Sequence, residues 1–339
     1  MESTARSLEY WVGVSATLYR RKSILTVVFR SFEFLIQKAV HYAVFIFSGG
    51  GQLGRMLAAS ASLLNIKVII LDEGPNCPAK QIVAHSSHID GSFKDPDKIL
   101  ELAHKVDVLT VEIEHVDVEA LEKAQHSRDI PIYPKPFTIR VIQDKYLQKN
   151  RLKGSGCPIA PFRQVESTVE SVLEAVQEFG TPLMLKSRTL AYDGRGNYVI
   201  QDTADIPKAL AALRDRPLYA EKWIFFEKEI AVMVVQSTSG EVRSYPVVET
   251  VHKDNICHLV FVPLRSRDAT LCARAQKIAE NAIGKSYGPG TFGVEMFLMK
   301  DGTYRRLSWK IIRSDPPFSR YNIRERDSTK TAQFRPLHN

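Results

Sequence analysis

Residues 43–73 constrain the fold more than any other stretch. Ala43-Val44-Phe45-Ile46-Phe47 is an apolar, β-prone run. Ser48-Gly49-Gly50-Gly51-Gln52-Leu53-Gly54 follows, a G-x-G-x-x-G turn. Leu53, Met56, Leu57, Ala61 and Leu64 then fall on one face of a helix, and Val68-Ile69-Ile70-Leu71 is a second buried run ending on Asp72-Glu73. Strand, glycine turn, helix and strand in this order predict a parallel α/β sheet. An acid about 20 residues after the turn completes a dinucleotide fingerprint, although the same turn aims helix amides at any phosphate. A third unit runs from a helix over 97–104 to a strand over 106–111, then Glu112, Glu114 and His115. Read as extended chain, Glu112 and Glu114 share one face at the carboxyl end of a strand, where open α/β sheets bind ligands. Tyr133-Pro134-Lys135-Pro136 marks the exit from this domain.

A second feature organises the rest. Pro182-Leu183-Met184-Leu185 leads into Lys186, then a loop with Arg188, Asp193, Gly194, Arg195, Gly196 and Asn197, and Tyr198-Val199-Ile200 returns as a strand. Glycines let backbone N–H groups approach phosphate oxygens while lysine and arginine offset their charge. The spacing is not that of a Walker loop, and a polar hairpin tip is the competing reading. Around this loop the pattern predicts helices over 138–153, with Asp144-Lys145 inside, and over 171–179, closed by Gly180. Strands are expected over 218–223, 229–235, 245–250, 256–262 and 292–298, with a helix over 269–283.

The four cysteines lie far apart with no C-x-x-C pair, which fits a reducing compartment and argues against a zinc site. A net charge of +8 invites a nucleic-acid reading, but the excess sits at the ends. Residues 1–47 carry six basic and three acidic side chains and residues 303–339 nine and three, leaving the middle at −1. Nucleic acid is therefore not an expected partner. The apolar-rich stretch 24–47 is interrupted by Arg30, Glu33, Lys38 and His41, so no membrane span is expected, and a cytoplasmic location is.

The ordered set of motifs resembles the ATP-grasp superfamily, and more closely the ATP-dependent half of the fungal phosphoribosylaminoimidazole carboxylases, the N5-carboxyaminoimidazole ribonucleotide synthetases of de novo purine synthesis. The segments that carry it are 49–56, 111–118, 186–197, 220–223, 249–255 and 292–297, within 48–302. The resemblance implies an α/β fold with a Rossmann-like pre-ATP-grasp domain over 43–136 and an incomplete ATP-grasp domain over 137–302. Residues 1–42 are then an atypical extension and 303–339 a non-family tail.

The implied cofactors are ATP and Mg2+, the implied partners aminoimidazole ribonucleotide and bicarbonate, and the family allows a homodimer. Lys145 and Lys186 would hold phosphates, with Asp193, Gly194, Arg195, Gly196 and Asn197 closing over them. Glu221, Lys222, Trp223 and Ile224 match the adenine hinge, Glu229 the ribose partner, His252 a nucleotide contact and Glu295 a magnesium carboxylate. Gly51, Gln52, Leu53 and Glu73 match the ribonucleotide site. Tyr192, Asp193 and Arg195 match the catalytic residues that orient bicarbonate and the amine. Two other readings stand beside this one. A nucleotide-binding remnant without catalysis would also use these motifs. A nicotinamide-dependent oxidoreductase would use the glycine turn with Asp72.

The family continues after the position of Gly302 through an Asn-Glu pair, the second magnesium ligand, and a stretch that binds the ribonucleotide. Residues 303–339 do not carry that order, and they are expected to be disordered or loosely packed. Trp11-Val12-Gly13-Val14 is a candidate first strand, which makes residues 15–47 an expected insertion, with Ala43-Val44-Phe45-Ile46-Phe47 able to serve in its place. The last six residues, 334–339, can be encoded so that a one-nucleotide forward shift reads Ser-Gly-His-Tyr-Thr, the pentapeptide the family carries shortly after the Asn-Glu pair. The tail is thus expected to be read out of frame or through an intron. Sequencing the gene across these codons should reveal the pentapeptide in a shifted frame; its absence in every frame sinks the idea.

Overall fold

The computed structural model describes residues 44–48, 50–83, 85–189, 196–253, 256–266, 268–284, 287–302, 304–311, 321–324 and 332–336. The expected insertion over 15–47 therefore lies almost wholly outside the described residues.

The first unit is the anticipated parallel sheet. Its strands are β1 (Val44–Ser48), β2 (Lys67–Asp72), β3 (Ile89–Asp90), β4 (Leu109–Val111) and β5 (Ile132–Tyr133), in the spatial order β3-β2-β1-β4-β5. All neighbouring pairs are parallel. Helices α1 (Gln52–Leu63), α2 (Pro96–Ala103) and α3 (Val118–Arg128) make three of the four connections, and a loop joins β2 to β3. The run Val68-Ile69-Ile70-Leu71 is buried throughout because both faces of β2 are covered. Ile69 and Leu71 join one core cluster, and Val68 and Ile70 join another. The order reverses between β1 and β4, so the crevice at their carboxyl ends is the topological switch point.

The expected helix over 138–153 is two helices, α4 (Pro136–Gln143) and α5 (Lys145–Gly154). Asp144 breaks it with an extended backbone (φ −106°, ψ 106°), and its carboxylate accepts from the Tyr146 and Leu147 N–H groups at 2.9 and 3.1 Å. A side chain that caps the next helix cannot also continue the previous one.

A four-stranded antiparallel sheet follows, ordered β6-β9-β7-β8, from β6 (Phe162–Val165), β7 (Leu183–Ser187), β8 (Asn197–Ile200) and β9 (Leu218–Lys222). Leu183, Leu185, Leu218 and Ala220 pack with Val172 and Ala175 of α6 (Val169–Phe179) and Ala209 of α7 (Ile206–Ala212). Helix α6 ends at Gly180 (φ +76°), as predicted.

The third sheet holds β10 (Lys228–Gln236), β11 (Val242–Ser244), β12 (Val248–Lys253), β13 (Ile256–Val262), β14 (Gly290–Leu298), β15 (Tyr304–Ile311), β16 (Tyr321–Arg324) and β17 (Ala332–Pro336). Ile230, Val232 and Val234 of β10 pack with Ala275, Ala279 and Ile283 of α8 (Ala269–Gly284). For its described residues, the expectation of a disordered tail is corrected here. Residues 304–311 pair antiparallel with β14, and β16 and β17 form a pair at the β13 edge. Leu307, Trp309 and Ile311 alternate with Arg306, Ser308 and Lys310. This period-two pattern after the Asp301-Gly302 turn suffices for a strand beside an open edge. Among the described residues no helix is long and apolar enough to cross a membrane.

The glycine turn is held from behind. The Gly50 N–H donates to Asp72 Oδ2, and Ala79 N–H donates to Gly50 O at 2.9 Å. A Cβ at Gly50 would overlap Cys77 Sγ and lie 3.0 Å from Asp72 Cβ. Gly50→Ala should therefore destabilise the protein by about 1–3 kcal/mol, as overpacking does, with partial recovery in the Gly50→Ala, Cys77→Ala double variant. Urea titration checks this, and an alanine tolerated at parental stability would contradict the packing.

Candidate functional site: a lysine–glutamate cluster and a carboxylate-bearing sheet face

Strand alternation sorts β7 and β9 into two faces. Leu183, Leu185, Leu218 and Ala220 enter the core, which sends Lys186 and Glu221 to the opposite face. The register pairs Lys186 with Tyr219 and Met184 with Glu221, so Lys186 and Glu221 are diagonal neighbours. Their ion pair measures 3.0 Å from Lys186 Nζ to Glu221 Oε2. A third group completes the cluster: Lys149 of α5 reaches Glu221 Oε1, also at 3.0 Å. All three are buried, Lys149 and Lys186 at 5% exposure and Glu221 at 2%. Helix α5 is seated by Tyr146, whose ring meets Phe162 edge-on and lies 6.3 Å from Tyr219, and Lys149 Nζ lies 5.4 Å from the Phe162 ring centre. A carboxylate shared by two ammonium groups offsets part of the desolvation cost of burying all three charges.

Sequence reasoning passed over Lys149. The available signal was its position four residues after Lys145, on the same face of one helix. Lys145 itself is half-buried at the start of α5, where its N–H donates to Arg188 O at 2.8 Å. Arg188 in turn grips Asp144, with Nη2 to Oδ2 at 2.5 Å and Nε to Oδ2 at 3.1 Å. The first turn of α5 is thereby tied to the end of β7. The Ser187 N–H donates to Gly196 O at 2.8 Å, which closes the neck of the glycine–arginine loop. Asn197 opens β8 beyond it. Tyr192, Asp193, Gly194 and Arg195 lie outside the described residues.

Lys222 ends β9, and Trp223 and Ile224 continue the chain half-buried toward β10. On the third sheet, register places Glu229 opposite Phe297 and Ala231 opposite Glu295, so Glu229, Glu295 and Phe297 share one face. The other face of β10 is the apolar core. Glu229 is also opposite Thr250 of β12, which brings His252 within reach, and His252 Nδ1 lies 2.5 Å from Glu229 Oε2. Each of these two side chains is 26% exposed, accessible to a ligand yet held by its partner. Phe226 stacks on Phe297 with ring centres 3.9 Å apart. Behind them, Glu249 is buried and works against its own desolvation, yet hydrogen bonds from Arg265 and Lys228 hold its carboxyl below the usual range. Among the described residues no group of three or more His, Cys, Asp or Glu could hold a metal ion.

At the first sheet, Gly51, Gln52 and Leu53 open α1 at the switch point, and Glu73 is exposed just past β2. Glu112 and Glu114 correct an expectation. The strand ends at Val111 and both acids lie in a bend, so alternation does not place them on one strand face. Both are buried, and the Glu112 carboxylate stands 3.5 Å from where a Gly51 Cβ would sit. Asp72, the acid of the oxidoreductase reading, is committed to the Gly50 N–H.

The lysine–glutamate cluster yields a direct prediction. Glu221→Gln removes the anion from between two buried ammonium groups and should cost about 3–5 kcal/mol of unfolding free energy, as breaking buried pairs does. Urea denaturation measures it, and a variant as stable as the parent would show that the cluster contributes nothing.

Known proteins share this architecture. The family model of the ribonucleotide synthetase preATP-grasp domain matches residues 44–143, and that of the ATP-grasp domain matches residues 150–305. Phosphoribosylaminoimidazole carboxylase of Ogataea methanolica is 57% identical over 254 residues, which are 75% of this chain and 47% of the relative. The chain thus spans about half the length of that relative. N5-carboxyaminoimidazole ribonucleotide synthase of Brucella melitensis is 35% identical, covering 75% of this chain and 69% of the relative. Among solved structures, the Aspergillus clavatus carboxyaminoimidazole ribonucleotide synthase complexed with ATP is 48% identical with a TM-score of 0.75, covering 79% of this chain and 70% of that one. The same enzyme in complex with ADP and 5-aminoimidazole ribonucleotide is 46% identical, again with a TM-score of 0.75, covering 79% and 69%. With a preATP-grasp domain joined to an ATP-grasp domain and identities of this size, the chain belongs to the N5-carboxyaminoimidazole ribonucleotide synthase family, the ATP-grasp relatives of the fungal phosphoribosylaminoimidazole carboxylases.

Proposed function

We propose that this chain is the ATP-binding part of a phosphoribosylaminoimidazole carboxylase, which carboxylates 5-aminoimidazole ribonucleotide with bicarbonate in de novo purine biosynthesis. The observation that carries the reading is the placement of Lys186. It is buried at the end of β7, directly before the glycine–arginine loop, and braced by Glu221 and Lys149. An ammonium held in that way is a preorganised point charge for a polyphosphate. Lys145, one helical turn before Lys149, supplies a second cation. The hinge Glu221, Lys222, Trp223 and Ile224 would take the base through backbone groups, and Glu229 and His252 would meet the ribose side of the nucleotide. Glycine-loop residues 193–197 would close over the phosphates and keep water from a labile acyl phosphate.

In the reaction, a bicarbonate oxygen attacks the γ-phosphorus and ADP leaves, forming carboxyphosphate. The amine of the ribonucleotide then attacks the carboxyl carbon, phosphate leaves, and the nitrogen loses a proton. Asp193 would align that amine, Tyr192 would help orient the two substrates, and Arg195 would stabilise the anionic carboxyphosphate. Gly51, Gln52 and Leu53 would offer helix amides to the 5′-phosphate, and Glu73 would receive the sugar. Magnesium fits less well. It needs several hard oxygen ligands, and Glu295 is one carboxylate on a sheet face whose neighbour β15 lacks an Asn-Glu pair. This shortage favours a second reading, nucleotide binding without turnover.

Calorimetry and a coupled ADP-release assay test both readings. ATP should bind the parent chain, and Lys186→Ala should lose about 1.5–3 kcal/mol of that affinity, the worth of a charge-assisted contact. Unchanged affinity in the variant removes the phosphate assignment. ADP release that depends on the ribonucleotide should be negligible; brisk turnover would refute the second reading and the metal argument with it.

A further inference from the structure

Lys80 is a buried cation that none of the roles above uses. Its side chain is 2% exposed, and its Nζ meets four oxygens: Asp72 O at 2.9 Å, Gly74 O at 3.0 Å, Ile89 O at 2.9 Å and Asp90 Oδ1 at 2.5 Å. An ammonium group has three N–H donors and no acceptor, so this shell saturates it and leaves nothing to bind a ligand directly. Its effect is on the backbone. The carbonyls of Asp72 and Gly74 belong to the residues on either side of Glu73, and both are drawn to one point. Ile89 and Asp90 anchor that point to β3 rather than to the loop itself.

The same segment also sets the glycine turn. Asp72 Oδ2 accepts from the Gly50 N–H, and Ala79, the residue before Lys80, donates its N–H to Gly50 O at 2.9 Å. Lys80 therefore links the exposed Glu73 carboxylate to the turn that opens α1. An acceptor for sugar hydroxyls and a set of helix amides for a phosphate, held at a constant separation, suit a phosphorylated ribose. We propose that Lys80 is a positioning residue for recognition of the ribonucleotide, fastening Glu73 and the glycine turn into one preorganised half-site. This rests on the ribonucleotide reading of Gly51, Gln52, Leu53 and Glu73.

The test uses the full chain with K80M, which keeps the stem length and removes the charge, E73Q, the K80M/E73Q double variant, and D90N as a milder change at the exposed end of the clasp. Calorimetry is run with 5-aminoimidazole ribonucleotide and separately with ATP. K80M should weaken ribonucleotide binding about tenfold, D90N about threefold, and ATP binding should stay within about twofold in both, because lost preorganisation is felt only at its own site. The double variant should bind no more weakly than the weaker single one, since both act through the same contact. Amide exchange at residues 73–76 should quicken in K80M while the β7–β9 region keeps its protection. Parental ribonucleotide affinity in K80M and D90N overturns the proposal, as do losses that multiply in the double variant or fall equally on ATP. A parent chain that binds ATP but no ribonucleotide overturns the ribonucleotide reading itself, and the role of Lys80 with it.

Discussion

The ATP-grasp half depends on one carboxylate shared between two lysines. Glu221 ties β9 to β7 through Lys186 and to α5 through Lys149, each at 3.0 Å. These three elements come from distant parts of the chain. Once Glu221 is buried as an anion, the two cations must stay beside it, because a lone buried charge costs several kcal/mol. The Asp144–Arg188 pair repeats the tie at the start of α5, and the Lys145 N–H to Arg188 O bond closes it. The end of β7 that leads into the glycine–arginine loop is thus fixed by its own ion pairs, which is the condition for electrostatic binding without reorganisation.

The first domain solves a related problem with backbone groups. Its glycine turn must expose helix amides, so it cannot satisfy them itself. It is stabilised from behind instead, by the Asp72 carboxylate, the Ala79 N–H and the close approach of Cys77. That commitment gives the acid of the dinucleotide fingerprint a structural role in the turn. In the nicotinamide reading the acid must be displayed toward a ribose, whereas here it supports the turn and the next residue, Glu73, is the exposed one.

The third sheet shows how little is needed to extend a fold. Residues 304–311 lack the Asn-Glu pair of the family, yet they pair with β14 across Phe292 to Leu298. An open edge with unpaired N–H and C=O groups accepts any neighbouring strand of suitable alternation. The backbone requirement for such a strand is period two, whatever polar side chains it carries.

From the sequence alone came the fold class and the glycine turn at 49–54, and from the ordered motifs that carry the family resemblance came Lys186, Glu221, Glu229, His252 and Glu295 as candidate site residues. These rest on local signals, namely periodicity, glycine placement and ordered motifs, which chain chemistry expresses over short distances. Tertiary structure decided what those residues do to one another. Only the β10–β12 register put His252 Nδ1 against Glu229, only the packing of α5 brought Lys149 to Glu221, and only the loop behind β2 made Lys80 a clasp around Glu73. Glu112 and Glu114 illustrate the limit from the other side. Their spacing of two implied a shared strand face, but β4 stops at Val111 and the bend removes the alternation. Contacts between residues far apart in sequence are set by register and burial, whose energies are summed over whole sheets and helices, and no short stretch of sequence carries them.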